Sequence, residues 1–406
     1  MAGGPRFRRH VLVDMTPLEP CGRQGGAGLV ATSLVRQLSC LDPGWRLTLL
    51  TAEDSHDELA WLDSASVQRL CVRKRPGSPT LARKLVDSLL PARARVPVKD
   101  AYQRLRAGPR RAQVTQELRP DLLLCPFTVP YFWRPDVPCI SIVHDLQHLS
   151  YPEFFSPEQR LNRQRHIADA VARSSRLVCM SDYVRRTVLA NTRARAEQVV
   201  AIPLALLREA DPADPGSVDR LGLEPRQFLL YPANFWPHKN HGRLIDGLRL
   251  YRQAHPESRL RLVCTGAPNE LMRTLKEHAP PDLVVFPGYV DERELAALMD
   301  ACAALIFPSL YEGFGMPVLE AMARGRPVLC SGVTSLPEVA GDAAVYFDPT
   351  DSADIARAID TLQDPSTLAE LVRRGHQRAA RLGSGRQLAA RYLDLFDVVL
   401  GGSNGA

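Results

Sequence analysis

The chain has 406 residues, of which 45% are hydrophobic and 24% charged, as in an ordinary globular protein with room for two domains. No apolar run approaches the roughly 20 residues that span a bilayer, and the start of the sequence has no signal-peptide core. These features argue against an integral membrane protein and a largely disordered chain, and they predict a cytoplasmic location.

The formal net charge of +6 is unevenly distributed, because residues 69–119 contain fourteen Lys and Arg but three acidic residues. Apolar residues at helical spacing lie within this basic stretch: Leu85, Val86, Leu89 and Leu90. A solvated helix that packs its apolar side on the domain is the favoured interpretation. The alternative is contact with an anionic membrane surface at the inner face of the membrane, or with a lipid-diphosphate acceptor. Nucleic acid is not expected, since aromatic residues are sparse here and no recognised binding motif appears.

Strand-like apolar runs alternate with helical patterns in the first half of the chain, which predicts βαβ units and a parallel sheet. The predicted strands are His10–Met15, Arg46–Thr51, Asp121–Cys125, Cys139–Val143 and Arg176–Met180. The predicted helices are Gly28–Ser39, Pro157–Arg173 and one that begins after Ser181, a plausible N-cap. A polar, proline-rich segment from Arg208 to Pro225 then predicts an interdomain connection.

The same alternation restarts after this segment. The predicted strands are Gln227–Pro232, Arg259–Thr265, Leu283–Phe286, Ala303–Phe307 and Pro327–Cys330. The predicted helices are Gly242–Ala254, Asn269–His278, Glu292–Ala301 and further ones from Asp351, the last being Gln387–Leu400. The pattern predicts two Rossmann-like, doubly wound domains that face a cleft, at residues 1–207 and 208–385. Residues 69–119 form a basic insert in the first domain, and residues 386–406 form a terminal helix and tail.

The most informative motif is Pro308–Glu320, which connects a predicted strand to a predicted helix and contains two glutamates, Glu312 and Glu320. Ligands of open parallel sheets bind at the carboxyl ends of the strands. Glycines allow close backbone approach, and a helix N-terminus attracts anions. This arrangement is suited to a phosphorylated sugar.

Three further segments follow predicted strands and carry polar residues. Gly25 and Gly26 precede the first helix and resemble a phosphate loop, although a simple turn is an equal alternative. His144 can hydrogen-bond a polar substrate, whereas His148 is expected to be structural or peripheral. Lys239, between a strand and a helix, can neutralise a diphosphate as a point charge.

The sequence carries no evident metal motif. No Asp-x-Asp and no Cys-x-x-Cys occurs, and the nine cysteines are scattered and predicted to be mostly buried thiols. We therefore expect no metal and no cofactor. Charge on a leaving diphosphate would then be met by Lys239 and by helix N-termini.

The stretch Glu312-Gly-Phe-Gly-Met-Pro-Val-Leu-Glu320 resembles the E-x7-E signature of retaining GT-B glycosyltransferases, the large family usually numbered four. Gly325-Arg-Pro-Val, Ser335-Leu-Pro-Glu-Val-Ala-Gly-Asp342 and Phe347-Asp-Pro349 extend the resemblance. It covers nearly the whole chain and is strongest from Gln227 to Pro349.

The resemblance implies a role for each matching residue. Glu320 would hold the donor ribose, Glu312 would contact the transferred sugar near the reacting carbon, and Lys239 would bind phosphate. The other implied donor contacts are Gly25, Gly26, Gly313, Phe314, Gly315 and Met316, with Tyr289 and Val290 near the base and His144 near the transferred sugar. Asn234 stands where the family commonly has an arginine, so one phosphate contact would be weaker unless Arg23 or His238 compensates.

The resemblance implies a retaining, metal-independent glycosyltransferase that moves a sugar from a nucleoside-diphosphate sugar to a hydroxyl of a carbohydrate or lipid-linked acceptor. Polysaccharide, glycolipid or glycoconjugate assembly would be its setting. One alternative is another GT-B enzyme, a sugar phosphorylase or a nucleotide-sugar epimerase. A less favoured alternative is a metal-dependent phosphohydrolase that uses His144, Asp145 and His148.

Overall fold

The computed structural model describes residues 7–19, 25–42, 44–73, 108–207, 213–214 and 216–401. The predicted helical segment around Leu85–Leu90 and the residues Gly22 and Arg23 lie outside these ranges. The chain divides into two compact units, each described here by itself. The first unit contains Met1–Pro203 and Gly385–Ala406, and the second contains Leu204–Ser384.

The first unit is built on a sheet of seven described strands. They are β1 (Arg9–Asp14), β2 (Trp45–Ala52), β3 (Val67–Arg73), β4 (Leu122–Cys125), β5 (Cys139–Val143), β6 (Arg176–Cys179) and β7 (Val199–Ala201). The strand order is β3-β2-β1-β4-β5-β6-β7, and every pair is parallel. The helices are α1 (Gly26–Leu41), α2 (Glu53–His56), α3 (Gln147–Ser150), α4 (Pro157–Arg173), α5 (Asp182–Asn191) and α14 (Gly385–Gly401), and residues 108–118 are also helical.

The second unit is built on a sheet of six described strands. They are β8 (Phe228–Pro232), β9 (Arg261–Thr265), β10 (Val284–Gly288), β11 (Ala304–Phe307), β12 (Val328–Ser331) and β13 (Val345–Phe347). The strand order is β10-β9-β8-β11-β12-β13, again all parallel. The helices are α6 (Gly216–Arg220), α7 (His241–Ala254), α8 (Glu270–His278), α9 (Glu292–Ala301), α10 (Met316–Ala323), α11 (Leu336–Ala340), α12 (Ser352–Asp360) and α13 (Pro365–Leu382).

Both sheets are buried in the way that parallel sheets require. The central strands β4, β5, β11 and β12 are buried at every position, because helices cover both faces. This burial explains why these strands appear in the sequence as continuous apolar runs. The prediction of an α/β protein with two Rossmann-like, doubly wound sheets is confirmed.

Helix caps in the first unit follow the predicted chemistry. Ser156 caps α4 by accepting the Gln159 N–H, and the Gln159 side chain accepts the Ser156 N–H in return. Ser181 caps α5 by accepting the Val184 N–H. The predicted start of α4 is therefore correct to the residue.

Some predicted boundaries are wrong. Residues 69–73 belong to strand β3, so the basic stretch does not begin as an insert. The short strands β7 and β13 were not predicted, because three residues carry too little periodicity. The predicted connection 208–225 contains helix α6, which is part of the second unit, and Arg220 of this helix pairs with Asp214 and Glu294.

The terminal helix α14 packs on α1 within the first unit. The Trp45 and Phe396 rings lie 5.6 Å apart, and Arg391 donates to the Pro203 carbonyl at 3.5 Å. This helix follows the second unit in the sequence, so the first unit is built from two separate segments of the chain.

The described residues contain neither a membrane-spanning helix nor a disulfide. None of the described helices is long and apolar enough to cross a bilayer. No disulfide forms among the described cysteines. Six of them are buried as predicted: Cys125, Cys139, Cys179, Cys264, Cys302 and Cys330.

Candidate active site

The carboxyl edge of the second unit's sheet brings Lys239 and Glu312 together. Strands β8 and β11 are direct neighbours, and each continues into a loop that leads to a helix. Since the carboxyl ends of parallel strands share one edge, these two loops meet there. Lys239 Nζ lies 2.5 Å from Glu312 Oε1, with only 13% and 12% of the two side chains exposed. The structure thus joins two residues that are 73 positions apart in the sequence.

The backbone of Lys239 is held by its own sheet and by the neighbouring loop. The buried Tyr231 hydroxyl donates to the Lys239 carbonyl at 2.7 Å. The Leu310 N–H donates to the His238 carbonyl at 2.8 Å, which connects the lysine loop to the glutamate loop. Burial raises the pKa of Tyr231 well above its usual value, so its hydroxyl stays protonated as a donor.

The backbone of Glu312 is fixed from the following βα connection. The Glu312 N–H donates to Thr334 Oγ1 at 3.1 Å, and Ser335 Oγ donates to the carbonyls of Glu312 and Phe314 at 3.0 and 3.2 Å. Sequence reasoning missed both residues as supports of the site. Ser335 stood in a motif that matched the family, and this was the one signal that could have pointed to it.

Helix α10 begins at this edge and directs its N-terminus into the site. Gly315 precedes it with φ 97°, a conformation that favours glycine. A Cβ at this position would lie 2.6 Å from Leu336 Cδ2. The neighbouring side chains of Phe314 and Met316 are buried, so these residues can offer a ligand backbone groups rather than side chains.

Glu320 lies within α10, one turn beyond Met316, and is half-buried. The two glutamates of the motif thus occupy different settings, with Glu312 in the loop and Glu320 in the helix. The positive end of the helix dipole lies between them.

Asn234, Tyr289 and Val290 follow strands β8 and β10 at the same edge. Asn234 Oδ1 accepts the Ala267 N–H at 3.0 Å, so this side chain holds the loop after β9. The Tyr289 side chain is 69% exposed and Val290 is half-buried. Strand β10 is two strands from β8, a separation of about 10 Å across the sheet.

In the first unit, Gly25 and His144 both follow strands at the carboxyl edge. Gly25 precedes α1 with φ 57° and ψ −133°, a conformation that side chains disfavour. A Cβ on Gly26 would meet nothing within 4 Å. The first glycine is therefore required by the backbone, and the second leaves open space.

The His144 ring is a neutral hydrogen-bonding group. Its Nε2–H donates to the Pro126 carbonyl at 2.6 Å, and because a carbonyl can only accept, the proton lies on this nitrogen. Burial lowers the pKa of His144, so the ring is neutral at neutral pH and its Nδ1 is an acceptor.

The residues of the phosphohydrolase alternative do not form a metal cluster. Asp145 accepts from Arg163, and His148 is buried with its ring edge on Phe155. Within the described part of the chain, no three His, Cys, Asp or Glu side chains are grouped so that they could hold a metal ion. The structural or peripheral role of His148 stays a prediction.

The fold and this edge define an α/β protein whose second unit carries a lysine, two glutamates and a helix preceded by glycine at the carboxyl edge of its sheet. Residues 226–364 match the family model described as Glycosyl transferases group 1. The chain is 29% identical over 238 residues to O-antigen chain mannosyltransferase B of Escherichia coli, a match that covers 56% of this chain and 62% of that protein. It is 30% identical over 249 residues to the serotype-specific mannosyltransferase WbdA of Escherichia coli, covering 57% of this chain and 30% of that protein.

Two solved structures share the fold over almost the whole chain. Sucrose-phosphate synthase from Thermosynechococcus elongatus superposes with a TM-score of 0.72 at 19% identity, covering 97% of this chain and 100% of that one. Anabaena Alr3699/HepE, in complex with UDP and glucose, superposes with a TM-score of 0.70 at 18% identity, covering 96% and 100%. Residues 226–364 thus match the glycosyl transferases of group 1, and the chain has the GT-B fold, as the sequence resemblance implied.

Proposed function

We propose that the protein transfers a sugar from a nucleoside-diphosphate sugar to a hydroxyl group of a carbohydrate or lipid-linked acceptor, with retention of configuration and without a metal ion. The observation that carries this proposal is the Lys239–Glu312 pair beside the start of α10. A cation and a helix N-terminus at one point can together stabilise a leaving diphosphate.

The proposed roles follow from the position of each residue on the sheet edge. Lys239 and the N-terminus of α10 bind the diphosphate, and Glu320 in the same helix binds the ribose. The base lies at Tyr289 and Val290, because the two strand spacings between β10 and β8 suit the reach of a nucleoside diphosphate.

The proposed chemistry breaks the bond between the anomeric carbon and the diphosphate oxygen. A bond to the acceptor oxygen then forms on the same face, and the acceptor proton passes to the departing phosphate oxygen. Glu312, whose carboxylate lies against Lys239, stabilises positive charge that develops on the sugar ring. A role of His144 as a contact of the transferred sugar stays a prediction.

Mannose is the sugar that we propose. Both Escherichia coli relatives are named mannosyltransferases, and one is named for the O-antigen chain, which supports a role in polysaccharide assembly. The cytoplasmic location and the membrane contact of residues 69–119 stay predictions.

A donor screen tests this function. Thermal unfolding is followed with GDP, UDP, GDP-mannose, UDP-glucose and UDP-galactose, because a ligand raises the unfolding temperature according to its affinity. Release of the nucleoside diphosphate is then measured with and without glycan acceptors, in buffer with and without a chelator. We expect stabilisation by one nucleotide series and release that depends on the acceptor and survives chelation. A donor consumed without an acceptor, or loss of turnover with the chelator, would contradict the proposal.

Glu320→Ala tests the donor site. Loss of its carboxylate should weaken donor affinity at least tenfold, since hydrogen bonds to a charged group contribute about 1.5–3 kcal/mol. Glu277→Ala, an exposed glutamate on α8, is the matched control and should leave affinity unchanged. Equal donor affinity in wild type and Glu320→Ala would show that this helix does not bind the donor.

A further inference from the structure

Asn240 follows Lys239 directly and has an unusual conformation for the residue before a helix. An N-cap residue normally has extended backbone, and its side-chain oxygen accepts an N–H of the first turn. Asn240 instead has φ 61° and ψ 32°, and its side chain makes no capping bond to α7. Asn269, which precedes α8 in the same unit, is an ordinary cap that accepts the Met272 N–H at 2.9 Å. Asn240 is thus used for something other than capping.

The Asn240 amide joins three loops of the sheet edge. Its Nδ2 group donates to the Pro349 carbonyl at 2.7 Å and to the Pro308 carbonyl at 3.2 Å. Pro308 begins the loop that carries Glu312, and Pro349 lies just after strand β13. Both protons of one amide group are therefore used to hold the lysine loop against the neighbouring connections.

The chemistry of these contacts requires an asparagine. A left-handed backbone is tolerated by glycine and asparagine more readily than by other residues. Two carbonyl acceptors require a donor group with two protons, which an amide has and a carboxylate lacks. Glycine satisfies the first requirement and aspartate approaches it, but neither satisfies the second.

We infer that Asn240 is a positioning residue, which fixes Lys239 relative to Glu312 by holding the lysine loop to the Pro308 and Pro349 carbonyls. This inference rests on the proposed function, because it assigns Lys239 to the diphosphate. A shift of about 1 Å in a positioned group can lower catalysis a hundredfold. Loss of the two hydrogen bonds from the Asn240 amide should thus affect the position of Lys239 more than the stability of the fold.

The test compares a nucleoside diphosphate with its nucleoside. Binding of UDP, GDP, uridine and guanosine is measured for wild type, Asn240→Gly and Asn240→Asp. Asn240→Gly keeps the left-handed backbone without strain. Any loss of diphosphate affinity in this variant therefore reports the removal of the amide group alone. Asn240→Asp puts carboxylate oxygens beside two carbonyls and should have the larger effect. We expect at least a tenfold loss of affinity for the diphosphate in both variants, with nucleoside affinity unchanged within twofold.

A double variant separates a positioning role from a structural one. If Asn240 acts through Lys239, then Asn240→Asp should cost no further diphosphate affinity in a Lys239→Ala background, because the effects of coupled residues are not additive. Gln363→Glu is the matched control, because it also changes an amide to a carboxylate. Gln363 Nε2 donates to the hydroxyl of Tyr251, which lies near the other end of α7. It should leave both affinities unchanged.

Each outcome decides the inference. The inference would be overturned if the Asn240 variants lost equal affinity for diphosphate and nucleoside. It would also be overturned if Asn240→Asp lowered diphosphate affinity further in the Lys239→Ala background. Either result would show that Asn240 is purely structural. Unchanged diphosphate affinity in the Asn240 variants would also overturn it, while leaving the proposed function intact. If wild type binds no nucleoside diphosphate at all, both the proposed function and this inference are wrong.

Discussion

Lys239 Nζ and Glu312 Oε1 form an ion pair at 2.5 Å, and both side chains are nearly buried. The pair is assembled by two adjacent parallel strands, so its geometry depends on the sheet register. Lys239 Nζ also lies 5.3 Å from the centroid of the Phe307 ring, over its face. A diphosphate bound at Lys239, as we propose, would therefore share a lysine that already has two partners.

Removal of one partner of this pair should destabilise the second unit and abolish function. Lys239→Met leaves the Glu312 carboxylate in a nearly buried place without its cation. We expect a loss of about 1–3 kcal/mol in the free energy of unfolding, below the value for a fully buried pair because both groups keep some contact with water. Turnover should fall at least a hundredfold. Urea denaturation and initial rates measure the two effects.

The double variant Lys239→Met/Glu312→Gln provides the control for stability. It removes both charges and keeps the shape of each side chain, so it should be more stable than Lys239→Met while remaining inactive. A double variant that is less stable than either single variant would show that the two charges do not compensate each other.

The sequence predicts which residues reach the sheet edge, because this follows from the strand–loop–helix order. Lys239 and Glu312 each follow a continuous apolar run, and parallel strands place such positions together. It does not predict how they are held there. The bond from Tyr231 to the Lys239 carbonyl and the bond from the Glu312 N–H to Thr334 join groups whose contact exists only after the sheet has formed.

Asn240 is a further residue whose tertiary contacts cannot be predicted from the sequence. Asparagine is a preferred N-cap residue, yet at this position its side chain forms hydrogen bonds to the Pro308 and Pro349 carbonyls instead. Such tertiary bonds over distances of 68 and 109 residues leave no periodic signal in the sequence. This departure from a local rule lies next to Lys239, where a functional site was predicted.

Gly315→Ala should damage both stability and activity. The residue has φ 97°, and an added Cβ would meet Leu336 Cδ2 at 2.6 Å. Backbone strain and overpacking together should cost about 2–4 kcal/mol of unfolding free energy. Because this residue directly precedes α10 and sets the start of the helix, turnover should fall at least tenfold. Chemical denaturation and initial rates measure the change.

Gly242→Ala is the matched control for this substitution. Gly242 lies in the first turn of α7, and an added Cβ would make ordinary contact with Leu275 at 3.9 Å. Alanine is a better helix former than glycine, so stability should stay equal or rise by up to about 1 kcal/mol. If Gly315→Ala were as stable as Gly242→Ala, the strain assigned to the start of α10 would not exist.

His241 should make the second unit sensitive to acid. Its ring is only 2% exposed and lies between Tyr231 and Phe235, with centroids 4.6 and 4.5 Å away. Burial, helped by the charge of Lys239, lowers the pKa of His241 from 6.5 to about 3. Below pH 6.5 the His241 ring is protonated in the unfolded chain, whereas in the folded chain it is protonated only near pH 3. Stability from this group is therefore complete above pH 6.5 and is lost as the pH falls, at about 1.4 kcal/mol per pH unit.

His241→Phe removes this titration and keeps a ring between the two aromatic side chains. Between pH 7.5 and pH 5, wild type should lose about 2 kcal/mol of unfolding free energy that the variant retains. Burial also lowers the pKa of three histidines of the first unit, His10, His144 and His148, and they contribute equally to both proteins. The difference between the two urea denaturation series thus isolates His241. Parallel pH dependence in the two series would mean that the folded state protonates His241 as readily as the unfolded chain does, and that its burial carries no penalty for charge.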